Sequence, residues 1–108
     1  MKTEIPTIIE SYFRASNTND IEALVACFSP EATVIDENQT HRGTRQIKDW
    51  SVDVRKKYQF QTEILRAAKN PDGTTVTAKV SGSFPGSPVD LDFRFALQGN
   101  KITGLQIG

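Results

Sequence analysis

Ala32-Thr33-Val34-Ile35-Asp36 is a short β-branched run that stops on a carboxylate. Val34, Ile35 and Thr33 favour an extended backbone, because branching at Cβ restricts the side chain least on a pleated surface. An acid closing such a strand is either a turn-former or a proton acceptor set at the edge of an apolar interior. The fold depends on what flanks this run, and the function depends on which way Asp36 points.

Ahead of it, Ile5, Ile8, Ile9, Tyr12 and Phe13 follow the spacing of one helical face. Thr3 is the expected N-cap, with Pro6 tolerated in the first turn, where amide donors lack partners. Asn17-Thr18-Asn19-Asp20 breaks the pattern. A second helix is expected from there, with Asn19 and Glu22 as a capping box and Ile21, Leu24, Val25 and Phe28 as its apolar face. Ser29-Pro30 should end it.

Beyond Asp36, residues 37–43 read as a polar loop with room for a short strand near His41. Thr44 can cap a third helix with Ile47, Trp50, Val54 and Tyr58 on its buried stripe. Arg55-Lys56-Lys57 reads as a solvated helix end favoured by the macrodipole. The period then changes to two. Residues 60–68 form an expected strand ended by Asn70-Pro71-Asp72-Gly73. Val76, Ala78, Val80, Gly82 and Phe84 alternate with polar neighbours, as do Val89, Leu91, Phe93, Phe95 and Leu97. Gly99-Asn100 is a hairpin turn into a last strand. Three helices and a run of antiparallel strands make an α+β domain over residues 1–108, whose curved sheet wraps the N-terminal helices and leaves a pocket between the layers.

The bulk composition narrows the function. The 108 residues carry 13 basic and 13 acidic side chains for a net charge of zero, with 37% hydrophobic and 24% charged residues. A balanced charge provides no field to gather phosphates, which argues against nucleic acid as a partner. One cysteine (Cys27) and one histidine (His41) exclude an internal disulfide and a multi-histidine metal site, and no metal or cofactor is expected. Met1-Lys2-Thr3-Glu4 lacks the apolar core of a signal peptide and no run reaches membrane-spanning length, so the expected location is cytoplasmic with no membrane partner.

Over nearly its whole length the chain resembles the nuclear-transport-factor-2-like superfamily, in its SnoaL-like and ketosteroid-isomerase-like branch. The resemblance is carried by Tyr12 within Ile8-Ile9-Glu10-Ser11-Tyr12, by residues 19–25, by Phe28-Ser29-Pro30-Glu31-Ala32-Thr33-Val34-Ile35-Asp36, by Arg42-Gly43-Thr44 with Ile47, and by Asp92-Phe93-Arg94-Phe95. It implies a cone-shaped half-barrel of a mainly antiparallel sheet around the N-terminal helices, a homodimer through the outer sheet face, and a small apolar carbonyl-containing ligand. In the isomerases a strand Asp is the general base, with a helix Tyr and a protonated strand Asp as the oxyanion hole. Asp36 matches the base and Tyr12 the helix tyrosine. Leu91 stands where the second acid would be, and Ser51 where a supporting tyrosine would be. The implied activity is a cofactor-free isomerase, cyclase or dehydratase, the alternative a binding or association module of the same fold.

From the residues themselves, a carboxylate at Asp36 in an apolar pocket would be desolvated and more basic; in a turn it would merely cap. Tyr12 could donate to a ligand carbonyl or be a core tyrosine. Phe13, Phe28, Trp50, Phe84, Leu91 and Phe93 are the expected pocket wall. His41 is expected to face solvent, and Cys27 to be a small buried helix residue.

Overall fold

The first helix, α1 (Thr7–Asn17), buries Ile9, Tyr12, Phe13, Ala15 and Ser16, the stripe that its apolar spacing dictates. The structure, a computed structural model, describes residues 5–108. The Thr3 cap lies outside the described residues. Pro6 is the N-cap rather than a first-turn residue, and its carbonyl accepts from the amides of Ile9 and Glu10. Asn19 takes a left-handed φ of 58° instead of capping. Asp20 caps α2 (Ile21–Ala26), its carboxylate accepting from the Ala23 amide at 3.1 Å.

The second helix is shorter than its apolar spacing suggests, because Phe28 already belongs to β1 (Phe28–Asp36). Ser29-Pro30 therefore lies inside a strand, where the register to the neighbouring strand slips between Phe28 and Thr33. A bulge is where a strand can hold a proline, since the lost amide breaks no regular ladder bond. A two-residue turn at Glu37-Asn38, with φ of 52° and 63°, leads into β2 (Gln39–Arg42). Left-handed φ at both centres is the hairpin turn that suits strand twist.

The third helix, α3 (Gly43–Tyr58), has Arg42 at its N-cap. Thr44 does not cap it. The Gln46 side chain reaches back to the Arg42 amide at 2.8 Å instead. Four strands follow: β3 (Gln61–Asn70), β4 (Gly73–Ser81), β5 (Val89–Gln98) and β6 (Lys101–Ile107). Gly82 and Phe84, expected within a strand, lie just past the end of β4 in the β4–β5 loop. A Cβ at Gly82 would sit 2.6 Å from the Tyr58 carbonyl oxygen, so the loop crosses the end of α3 where only glycine fits.

The six strands form one mixed sheet in the order β2-β1-β6-β5-β4-β3, antiparallel except for the parallel β1–β6 pair. The α+β arrangement with N-terminal helices stands, but the cone-shaped half-barrel does not. The sheet is open, not strongly curled, and its terminal strands β2 and β3 do not pair. Closure needs a bonded register between first and last strands. Here α3 packs on β1 and β2 while α1 packs on β3 and β6, so helices occupy the space where closing pairs would run.

Two contacts fix the end of α1 over the sheet. Asn17 uses its amide as a strand would, accepting from the Thr62 amide and hydroxyl and donating to the Thr62 carbonyl, each at 2.9 Å. Arg55 is not solvated as expected. Its guanidinium turns inward and donates to the carbonyls of Ser16 and Phe60 and to Asn19 Oδ1, adding a second donor to a Ser16 carbonyl that already accepts from the Asn19 amide. Among the described residues no helix is long and apolar enough to cross a membrane.

Candidate active site

Along β1, Ala32 and Val34 are buried and Ile35 is exposed, so strand alternation turns Asp36 to the core side. There its carboxylate meets a cavity of about 500 Å³ enclosed by α1, α3, the sheet and the β4–β5 loop. Tyr12, Trp50, Phe84, Leu91 and Phe93 share the lining with Asp36.

Phe13 and Phe28 do not line it. Both stand edge-on to the Tyr12 ring, at 5.2 Å and 5.9 Å between centroids, and Phe95 adds a third edge contact at 5.4 Å. They form the packing behind Tyr12 and hold its ring in one orientation. Spacing along a helix or strand marks which residues are buried, but not whether a buried ring meets a void or another ring.

Asp36 is held by its neighbours. Trp50 Nε1 donates to its Oδ2 at 3.0 Å. Removal from water raises the carboxyl above the ordinary carboxylate range. The Trp50 hydrogen bond opposes this, the Glu37 charge adds to it, and the Glu37 backbone and His41 pull it back. The result is an acid that remains partly desolvated yet has a fixed partner for its anion. The Tyr12 phenol is pushed well above its ordinary value, first by burial, then by the charge on Asp36 and by Cys27. It stays protonated and can donate toward an acceptor in the cavity.

Residues that periodicity did not mark complete the wall. Glu37 reaches the mouth, where Tyr58 Oη donates to its Oε2 at 2.9 Å and Lys57 Nζ lies 3.8 Å from the same oxygen. Phe84 stands edge-on to Tyr58 at 5.7 Å. Ser16 and Phe60 line deeper parts. The two-residue turn after Asp36 was the available signal for Glu37; nothing in the sequence pattern signalled Ser16.

The other candidates lie away from the cavity. His41, on β2 opposite Val34, is half-buried with its ring 6.0 Å from that of Trp50, rather than facing solvent. Cys27 is buried, its Sγ 3.4 Å from the Ala23 carbonyl oxygen. Ser51 turns its hydroxyl back onto the Lys48 carbonyl at 2.8 Å and lends nothing to Tyr12. Asp92 bonds the Thr77 hydroxyl at 2.7 Å and is not part of the lining.

An open mixed sheet, N-terminal helices and an apolar cavity with one inward carboxylate define a pocket protein of the nuclear-transport-factor-2-like class. More particularly, the SnoaL-like domain matches residues 9–104, and the chain belongs to that family. A Sinorhizobium meliloti protein provisionally named a polyketide cyclase is 39% identical, covering 96% of this chain and 95% of its own, with a TM-score of 0.94. A Catenulispora acidiphila protein of ketosteroid-isomerase-like fold, solved with trimethylamine, is 22% identical over 97% and 86% at a TM-score of 0.85. SalBIII, an epoxide hydrolase/cyclase-like enzyme of pyran ring formation in salinomycin, is 20% identical over 94% and 86% at a TM-score of 0.80. The latter two likenesses concern the fold alone. Among curated proteins, none matches the chain by sequence.

Proposed function

We propose that the protein is a cofactor-free isomerase, cyclase or dehydratase that moves a proton next to a carbonyl on a small apolar substrate. The observation that carries this reading is Asp36, an inward carboxylate at an apolar cavity, oriented by the Trp50 indole at 3.0 Å. Asp36 takes the proton from carbon, the C–H electrons form the carbon–carbon double bond, and the carbonyl π pair moves to oxygen. Tyr12 donates to that oxygen, and the proton returns from Asp36 to carbon or leaves with the departing group. A raised pKa improves the match between base and weak carbon acid. The cyclase name of the Sinorhizobium relative is in keeping with this class. A homodimer through the outer sheet face, where Ile35 is exposed, completes the proposal.

Exchange of the α-protons of 2-tetralone in D₂O, followed by NMR, tests the reaction class without the natural substrate. Exchange above the buffer rate that vanishes in Asp36→Asn is the expected result. Equal exchange in both proteins would remove Asp36 from the chemistry. The second reading, a non-catalytic binder, is favoured by Leu91, which puts an aliphatic side chain where the isomerases have an acid. Quenching of Trp50, the single tryptophan, by 2-tetralone with no exchange in the wild type would favour it.

A further inference from the structure

We propose that Ser16 supplies the second hydrogen-bond donor of a carbonyl-oxygen subsite, alongside Tyr12. The inference rests on the carbonyl reading above and deepens it, since it names a residue that the resemblance does not assign.

Ser16 follows Tyr12 by four residues on α1, so the two side chains stand one above the other on the same helical face. Side chains at this spacing have Cβ atoms about 5–6 Å apart, so both hydroxyls are carried by neighbouring positions of one helical face. Both residues are buried, at 4% and 7% exposure, and both line the cavity. Helical hydroxyls commonly turn back to a carbonyl of their own helix. Ser51 and Thr18 here do so. Ser16 does not, and among the described residues neither its hydroxyl nor that of Tyr12 has a protein partner. Among the described residues no fully enclosed side-chain polar atom lacks a partner, so neither of these two hydroxyls is fully enclosed. Ser16 also borders a small void beside Arg55, Asn19 and Phe60.

The placement is held from behind. Arg55 donates to the Ser16 carbonyl, and Asn17 ties the next residue to Thr62 on β3. A serine whose backbone is fixed twice, and whose hydroxyl faces an apolar cavity unpaired, lacks an acceptor that a ligand carbonyl would provide. It also answers Leu91: a strand that provides no acid leaves one lone pair of the enolate oxygen unserved, and Ser16 reaches it from the helix instead. Two donors on a developing oxyanion concentrate their effect in the transition state.

The test uses 2-tetralone labelled with ¹³C at its carbonyl, by difference infrared spectroscopy and α-proton exchange, on wild type, Ser16→Ala, Ser16→Cys and Tyr12→Phe. Ser16→Cys keeps the size of the side chain and loses the strong donor, so it reads the same contact if alanine disturbs folding. In both Ser16 variants the bound carbonyl band should move to higher frequency and exchange should fall about 10- to 100-fold, with Trp50 quenching nearly unchanged. A band at the wild-type position in both variants would overturn the Ser16 proposal while leaving Asp36-dependent exchange, and the reading it supports, in place. Absence of Trp50 quenching in the wild type would overturn both.

Discussion

Trp50 Nε1 donates to Asp36 Oδ2 at 3.0 Å, so an indole from the middle of α3 fixes the carboxylate that ends β1. The two residues are far apart in hydropathy and 14 apart in sequence, yet they form a side-chain contact that orients the inward acid. A hydrogen bond to a charged group is worth about 1.5–3 kcal/mol, enough to hold one rotamer.

Trp50→Phe removes a bond made to the ionised form, so the Asp36 pKa rises further. The base form is then reached only at higher pH. The acid limb of the exchange profile should move up by about one pH unit, the scale of a charge-assisted bond partly replaced by water. A profile superimposable on the wild type would show that the indole does not tune the acid.

Asp36→Asn should stabilise the fold near neutral pH. A carboxyl raised in the folded state binds its proton more tightly there than in the unfolded chain, so stability falls as pH rises from the ordinary carboxylate range through the folded pKa. Asparagine keeps an acceptor for Trp50 and carries no charge. A gain of about 0.5–2 kcal/mol in urea unfolding at pH 7 is expected. It should disappear in acid, where the wild-type carboxyl is protonated in both states.

Tyr12→Phe should separate function from stability. The ring keeps its edge contacts with Phe13, Phe28 and Phe95. The lost hydroxyl has no protein partner among the described residues, so the melting free energy should change by less than about 1 kcal/mol. Exchange of 2-tetralone should drop by about 100-fold.

Asn17→Ala should destabilise by about 2–3 kcal/mol in urea titration, because it leaves the Thr62 amide, hydroxyl and carbonyl without their joint partner. Loss of this tie also frees the end of α1, so exchange should fall more than quenching of Trp50 by 2-tetralone does.

Gly82→Ala places a methyl 2.6 Å from the Tyr58 carbonyl oxygen and 3.0 Å from Phe60 Cα, both backbone atoms that cannot rotate away. The β4–β5 loop must shift, at a cost of about 1–3 kcal/mol. A thermal melt unchanged from the wild type would mean that the loop does not cross α3 so closely.

Much of this protein is legible in its sequence, for local reasons. The period-two pattern of Val76, Ala78 and Val80, and of Phe93 and Phe95, places those residues inside because a pleated strand alternates faces whatever surrounds it. The same alternation turns Asp36 inward only because β1 keeps its register with β2 through residue 36, which the sequence left open against a turn. Helical spacing likewise determines that Tyr12 and Trp50 are buried.

Where local preference had competitors, tertiary contacts decided. Phe28 left the second helix because a parallel partner, β6, was available to pair it with Ile102. Arg55 left solvent because the carbonyls of Ser16 and Phe60 and the Asn19 side chain lay within its reach. The sheet stayed open because α1 and α3 occupy the flanks that closure would need. The site divides in the same way. The sequence alone determined that Tyr12 lies on the apolar face of its helix, because facing is a matter of backbone period, and it left Asp36 open between the interior and a turn. Only the tertiary structure decided that Phe13 and Phe28 pack behind Tyr12, that Trp50 holds Asp36, and that Ser16 and Glu37 reach the cavity. Those relations depend on how far apart packed layers stand, a distance that side-chain volumes from several elements set together.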